Sequence, residues 1–228
     1  YKYQWQGEIS LQNALAYSVN TVSVRLAHKL GLARIVQTAR RLGMNSPLPD
    51  DLTIVLGTGE TTLLELTSVY AIIAAHGMSV EPYAILKVTD LEGHNLYTYQ
   101  VPERVQVVDP AIAQDLVQML QAVMTYGRGK RAAPPGRVSA GKTGTTQLHR
   151  DAWLVGFTPE FITGVWAGND DNTPMDPKPG SPAAHLWRLY MSGVPYNTAS
   201  FPQLFGTEPE PSSGGLLDNL IDSLFGGF

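Results

Sequence analysis

The sequence predicts an α+β fold. Most of the first 126 residues read as helices, with one small hairpin among them, and three β-type runs follow between residues 137 and 168. Those three runs are consecutive and separated by turns, not helices, so they predict an antiparallel sheet and not alternating βαβ units.

Each element follows from local signals. Ser10 can cap a short helix, LQNALAYS, and Asn20 or Thr21 can cap the next, TVSVRLAHKL, which Gly31 closes. LARIVQTARRL is a third helix, ended by Gly43, and NSPLPDD is a loop. TLLELTSVYAIIAAHG is apolar enough to predict a helix buried on most sides. YAILKVTD and NLYTYQ alternate around Glu92-Gly93 and predict a hairpin. Asp109-Pro110 is a helix start, opening AIAQDLVQMLQAVMTY, which Gly127 ends. RVSAGKTGTT, DAWLVGFT and FITGVWAG are the three strands, and SPAAHLWRLYMSGV is a last helix capped by Ser181. The expected division is a domain over 1–194 and a Pro/Gly/Ser-rich linker with a short amphipathic tail over 195–228. A disordered or weakly helical tail is favoured over one that binds a partner or a membrane surface.

The 228 residues are 43% hydrophobic and 16% charged, enough for one sizeable core. A net charge of −4 argues against a nucleic-acid surface. With no cysteine and five scattered histidines, neither a thiolate nor a paired-histidine metal site is expected, and nothing calls for a cofactor. No signal peptide or membrane-spanning run is evident. The chain begins at Tyr1 without Met, which favours a processed or excised segment, any export signal or anchor lying upstream.

One stretch, GRVSAGKTGTT, matches three motifs. Gly136–Thr143 fits the phosphate-cradling G-x-x-x-x-G-K-[ST], Ser139–Lys142 fits the activated-serine motif S-x-x-K, and Lys142–Gly144 is K-T-G. A phosphate loop needs a buried strand before it and a helix after it. Here GRGKRAAPP precedes and a strand-turn-strand pattern follows. S-x-x-K works when Ser opens a helix, so that Lys one turn later can take its proton; on a strand, Ser139 and Lys142 point to opposite faces. K-T-G asks only for a strand. Period 2 puts Lys142 and Gly144 on one face and Thr143 and Thr145 on the other, and small residues let a peptide backbone pair along the edge. An ordinary edge strand with a surface Lys is the plain alternative.

Ser18-Val19-Asn20 is an S-x-N between two helices, where Asn20 could merely cap. Together with LQNALAYSVNTVSVRLAHKLG, LGTGETTLLELTSVYAIIAAHG, AQDLVQMLQAVMTYGRGKRA and GKTGTTQLHRDAWLVGFTPEFITGVWAGNDD, however, the sequence resembles the C-terminal part of the transpeptidase domain of class A (bifunctional) penicillin-binding proteins, over roughly residues 8–194 and in the family's order.

The resemblance implies a penicillin-binding/β-lactamase-like transpeptidase fold and a role in cross-linking peptidoglycan by serine acyl transfer on D-Ala-D-Ala stem peptides, with β-lactams as mimics. It implies that Ser18 passes a proton to the leaving amine, and that Asn20 holds the donor's amide and the lysine of S-x-x-K. It implies that Lys142 gives positive potential to the donor carboxylate and polarises Ser18, and that the Thr143 and Thr145 hydroxyls bind that carboxylate. Thr145 N–H supplies half of an oxyanion hole, and Gly144 leaves room for the substrate. It also implies the outer face of the bacterial cytoplasmic membrane, with anchoring outside this chain. Two departures stand out. The family's S-x-x-K lies tens of residues before S-x-N, and only 17 residues precede Ser18. The nucleophile, its base and the family's first two strands are therefore expected outside this chain, so that the sheet is partial and FITGVWAG is left with an apolar edge. The partners expected are that N-terminal part, a stem peptide and β-lactams, with no nucleic acid. A non-catalytic peptidoglycan- or β-lactam-binding module is the alternative. The second departure is Gly127-Arg128, where the family commonly has Gly-Thr.

Other residues attract plainer readings. Trp153, Trp166 and Trp187 fit core or sheet packing. Glu60 and Glu65 invite an acid/base role, but their place at and inside an apolar helix favours capping or solvent exposure. His149 could touch a substrate, but a loop position is favoured.

Overall fold

The computed structural model describes residues 7–175, 181–195 and 201. The predicted tail lies almost wholly outside these residues. Among the described residues, six α-helices and two antiparallel sheets follow the expected order: α1 (Leu11–Ala16), α2 (Asn20–Leu30), α3 (Leu32–Arg41), α4 (Leu63–Ala74), β1 (Lys87–Thr89), β2 (Asn95–Thr98), α5 (Pro110–Thr125), β3 (Ala140–Thr145), β4 (Asp151–Phe157), β5 (Ile162–Gly168) and α6 (Pro182–Gly193).

The caps are mostly those the sequence signals. Ser10, Thr62, Asp109 and Ser181 each accept a backbone N–H from the first turn of α1, α4, α5 and α6. Asn20 is different. The N-cap of α2 is Val19, and Asn20 is the first helical residue. The reason lies in how α1 stops. Val19 N–H bonds Ala14 O at 2.9 Å and Ser18 N–H bonds Leu15 O at 3.1 Å, with Ser18 at φ 57°. This is a Schellman ending with serine in the left-handed position that glycine usually fills. It uses the backbone donors of the junction and leaves the Asn20 side chain exposed and uninvolved in capping.

β3, β4 and β5 form one sheet in that order. The register runs Lys142↔Val155, Thr143↔Leu154, Gly144↔Trp153 and Thr145↔Ala152, so Lys142 and Gly144 share one face and the two threonines the other. One face packs on α6, where Trp187 and Met191 meet Ala152 and Leu154. Trp187 is fully buried and donates its indole N–H to Thr163 O at 2.9 Å. Its ring abuts Gly156, where a Cβ would sit 3.1 Å from Trp187 Cζ2. The other face packs on α4 and α5 through Ile73, Val117, Leu120, Ala140 and Phe157. Arg137, buried just before β3, donates to the carbonyls of Met191 and Val194 and ion-pairs with Glu160 at 3.4 Å, tying α6 to the β4–β5 turn.

Helix α4 is less enclosed than its composition predicts. Val69, Ile72 and Ile73 are buried, but Leu64 is 63% exposed, because α4 meets the sheet and α5 along one side only. The hairpin β1–β2 forms, with a bulge at Val88/Thr89, and is exposed throughout. Among the described residues no strand pairs the outer edge of β3 or of β5. On β5, Trp166 is 39% exposed and Trp153 on β4 is half-buried, so of Trp153, Trp166 and Trp187 the last alone is a full core residue.

Candidate active site

The two motifs singled out in the sequence meet at the open edge of β3. Lys142 Nζ donates to Ser18 Oγ at 2.9 Å and to Thr143 O at 2.9 Å. The partners are 124 residues apart in sequence, so the contact exists only because the α1–α2 junction docks beside β3.

A set of contacts fixes that docking. Just beyond the end of α5, the backbone of Gly127 runs so close to α1 that a Cβ there would lie 2.3 Å from Ala16 O. Arg128 N–H then bonds Ala16 O at 2.9 Å, and its side-chain Nε–H bonds Tyr17 O at 3.1 Å. Tyr126 OH donates to Asn13 Oδ1 at 2.9 Å, and its ring lies 6.0 Å from that of Tyr17. The loop carrying Ser18 is thus pinned at its carbonyls and its aromatic face. Ser18 itself is held at φ 57°, a conformation that costs a non-glycine residue about 1–2 kcal/mol. Strain of this kind persists only where the surroundings over-determine the backbone.

Lys142 is largely withdrawn from water. Burial, and then the nearby Arg128 charge, bring its pKa down from the ordinary 10.5 to about 8. Among the described residues no acid offsets the two cations. The site is therefore electropositive, and its lysine stays mostly charged at neutral pH while titrating well below an ordinary lysine.

The remaining candidates take distinct places. Thr143 is half-buried and Thr145 exposed, on the face opposite Lys142, so the β3 edge is flanked on both sides by polar groups. Gly144 faces Trp153, with 3.2 Å between a built Cβ and Trp153 Cβ. Asn20, the first residue of α2 and two positions after Ser18, is exposed beside the same junction. Ser139 is 5% exposed and lies just before β3, away from the Lys142 ammonium, and β3 continues past Lys142 with no helix. Both the S-x-x-K and the phosphate-loop matches therefore lack the geometry that their chemistry needs.

Glu60 and His149 follow the plainer readings, whereas Glu65 is half-buried and neither caps α4, a role that Thr62 takes, nor faces solvent freely. Glu65, in the first turn of α4, accepts from the backbone and hydroxyl of Ser46, from Asn45 N–H and from Thr61 Oγ1 at 2.7 Å. These bonds hold its carboxyl down at about 2. It anchors the 43–46 loop and is no general acid. Glu60 is exposed. His149, at φ 55° in the β3–β4 loop, accepts from Met175 N–H through its carbonyl. Asp90, Glu92 and His94 bring possible ligand atoms within 4.8 Å of one another on the exposed hairpin, where Asp90 closes the turn by accepting from His94 N–H at 2.7 Å. The sequence reading did not anticipate Arg128 as part of the site. The only signal was its departure from the expected Gly-Thr.

Residues 1–177 match the family described as the penicillin binding protein transpeptidase domain. Penicillin-binding protein 1A of Aquifex aeolicus (strain VF5) is 39% identical over 164 residues, covering 72% of this chain and 22% of that protein. Penicillin-binding protein 1A of Neisseria lactamica is 37% identical over 197 residues, covering 82% and 25%. The chain thus spans about a quarter of the length of the curated relatives it matches. Among solved structures, PonA1 from Mycobacterium tuberculosis in complex with penicillin V superposes with a TM-score of 0.75 at 27% identity, over 92% of this chain and 61% of that one. Penicillin-binding protein 1A from Haemophilus influenzae shares the fold, with a TM-score of 0.76 at 21% identity, over 87% and 37%. A partial α+β fold with antiparallel strands, a lysine on an open edge strand and a serine turn bonded to it agree with that match, and the chain belongs to the penicillin-binding protein transpeptidase family.

Proposed function

We propose that this chain forms the substrate-binding wall and proton relay of a D,D-transpeptidase that cross-links peptidoglycan by serine acyl transfer, on the outer face of the bacterial cytoplasmic membrane. The observation that carries the reading is the Lys142 Nζ–Ser18 Oγ bond at the unpaired β3 edge. No described helix is long and apolar enough to cross a membrane.

The chemistry follows from the groups present. A stem peptide ending in D-Ala-D-Ala lies along β3 as an added strand, pairing with its free backbone groups. Its terminal carboxylate meets the Lys142 charge and the Thr143 and Thr145 hydroxyls. Attack by a serine on the penultimate carbonyl places negative charge on that oxygen. Thr145 N–H donates to it, together with the nucleophile's own N–H. Because Lys142 donates to Ser18 Oγ, the Ser18 hydroxyl proton is turned outward and can pass to the departing D-Ala amine. Lys142, titrating near 8, then replenishes Ser18. Asn20 bonds the donor's amide. An amine of a second stem peptide resolves the ester. β-Lactams carry the same carboxylate and strained acyl group and stop at that ester.

The attacking serine is supplied from outside these 228 residues, since the only S-x-x-K here is Ser139–Lys142 and Ser139 is buried. The test labels the full gene product containing this chain with fluorescent penicillin and maps the labelled peptide. A covalent adduct outside residues 1–228, weakened by Lys142→Met, is expected. Reversible binding with no adduct would favour a non-catalytic peptidoglycan-binding module, and an adduct on a serine within this chain would overturn the assignment of the nucleophile.

A further inference from the structure

We propose that Arg128 is a positioning residue for the Ser18–Lys142 pair, holding the serine turn through the Tyr17 carbonyl and setting a second positive charge beside Lys142 for an anionic ligand. The inference rests on the transpeptidase reading for the nature of the ligand, but its geometry is independent of it.

Two observations carry it. Arg128 reaches the turn twice, with its backbone N–H on Ala16 O at 2.9 Å and its Nε–H on Tyr17 O at 3.1 Å. Those carbonyls belong to the last residue of α1 and to its C-cap, immediately before the left-handed Ser18. A fixed guanidinium fork suits this task, because one N–H can lock a carbonyl while the rest of the group stays pointed elsewhere. Gly127 is what permits the approach, since any side chain there would strike Ala16 O. Threonine in place of Arg128 would keep the backbone bond to Ala16 but would lose both the Tyr17 clamp and the charge.

The second observation is the company of charges. Arg128 acts directly on Lys142 and lowers its pKa further than burial alone, and among the described residues it is the only charged group that does so. Two cations that repel each other without a compensating carboxylate raise the energy of the empty site. They lower it again when an anion enters, so part of the ligand's binding free energy is relief of this repulsion. Arg128 therefore acts through its neighbours: it orients the hydroxyl that Lys142 bonds, and it helps bring the pKa of that lysine down towards physiological pH while leaving it mostly charged there.

The test measures acylation of the full gene product by benzylpenicillin, which keeps its carboxylate, and by its methyl ester, which does not, across pH 6–10. Three proteins are compared: the parent, R128Q and R128K. R128Q is expected to slow acylation by the acid about two- to fivefold, the size of a charge effect at an exposed position, with a smaller effect on the ester. Its alkaline limb moves to higher pH, because Lys142 loses a neighbouring cation. R128K restores the limb and the acid preference but not the full rate, since it keeps the charge without the planar clamp. An unchanged pH profile in R128Q, or an equal loss with acid and ester, overturns the proposal. If the parent forms no adduct, the transpeptidase reading fails instead. The Lys142 ammonium titration, followed by NMR in parent and R128Q, then decides the role of Arg128: a higher midpoint in R128Q supports it, and identical midpoints sink it.

Discussion

Replacing Lys142 with Met should make the fold more stable at pH 6 while destroying the site. Lys142 is held in its charged form against burial and against Arg128. The fall from 10.5 to about 8 corresponds to roughly 3 kcal/mol at about 1.4 kcal/mol per pH unit. Against that stand two hydrogen bonds, to Ser18 Oγ and Thr143 O, each contributing about 1 kcal/mol. Met fills the same half-buried stem with no charge to desolvate. The net expectation at pH 6 is a gain of about 1–2 kcal/mol. The sign must change with pH. Between about 8 and 10.5 the unfolded chain binds more protons at this lysine than the folded one, so the parent gains stability as pH rises through that window. Above it the penalty has gone, only the lost hydrogen bonds remain, and Lys142→Met becomes the less stable protein. Urea titrations at pH 6, 8 and 10, read as midpoints at constant slope, measure this directly. A variant less stable than the parent at pH 6, by an amount that does not vary up to pH 10, would refute the claim that the charged lysine is held at a cost.

Three further outcomes follow from the same structure. Ser18→Gly should be more stable than Ser18→Ala by about 1 kcal/mol, because alanine keeps the left-handed backbone penalty and glycine removes it; equal urea midpoints would contradict the φ of 57°. Gly127→Ala should cost about 1–3 kcal/mol and reduce β-lactam acylation together, since its Cβ must displace Ala16 O and with it the Ser18 turn; a folded variant with parental acylation would show that this approach does not position the site. Glu65→Gln should lower stability at pH 7 by about 1 kcal/mol. Because the Glu65 carboxyl sits near 2 instead of 4.5, the stability it contributes is present above pH 4.5 and lost as pH falls towards 2, so the parent and variant acid-unfolding curves should converge there; curves that stay parallel would mean the Ser46, Asn45 and Thr61 bonds contribute nothing.

The sequence states the elements more plainly than the site. Caps such as Ser10, Asp109-Pro110 and Ser181 are local, need only neighbouring backbone and were legible. The aromatic- and β-branched-rich runs DAWLVGFT and FITGVWAG likewise declare strands. Asn20 misled because S-x-N looks like a cap, and only the Schellman ending of α1, which places Ser18 where glycine is expected, reveals that the backbone there is already satisfied. The K-T-G match could be preferred over two rival motifs because helix and strand periods differ. Its pairing with Ser18 could not be derived from periodicity, since no local rule links residues 124 apart. The resemblance supplied that link. Arg128 escaped for the opposite reason: it departs from the family, and its reach to Tyr17 O depends on a close approach at Gly127 that has no sequence signature beyond one glycine.

The distance in sequence between Ser18 and Lys142 has a consequence for the life of the protein in the cell. Loop closure over so long a span is entropically costly, so such a contact forms late during folding, after the local helices and the β3–β4 hairpin. A nascent or locally opened chain therefore has most of its secondary structure but no oriented hydroxyl. On the function proposed above, antibiotic reactivity doubles as a certificate of complete folding: a population damaged by heat or by a core mutation would go silent to penicillin before its helices melt, and chaperones and proteases would meet the chain first.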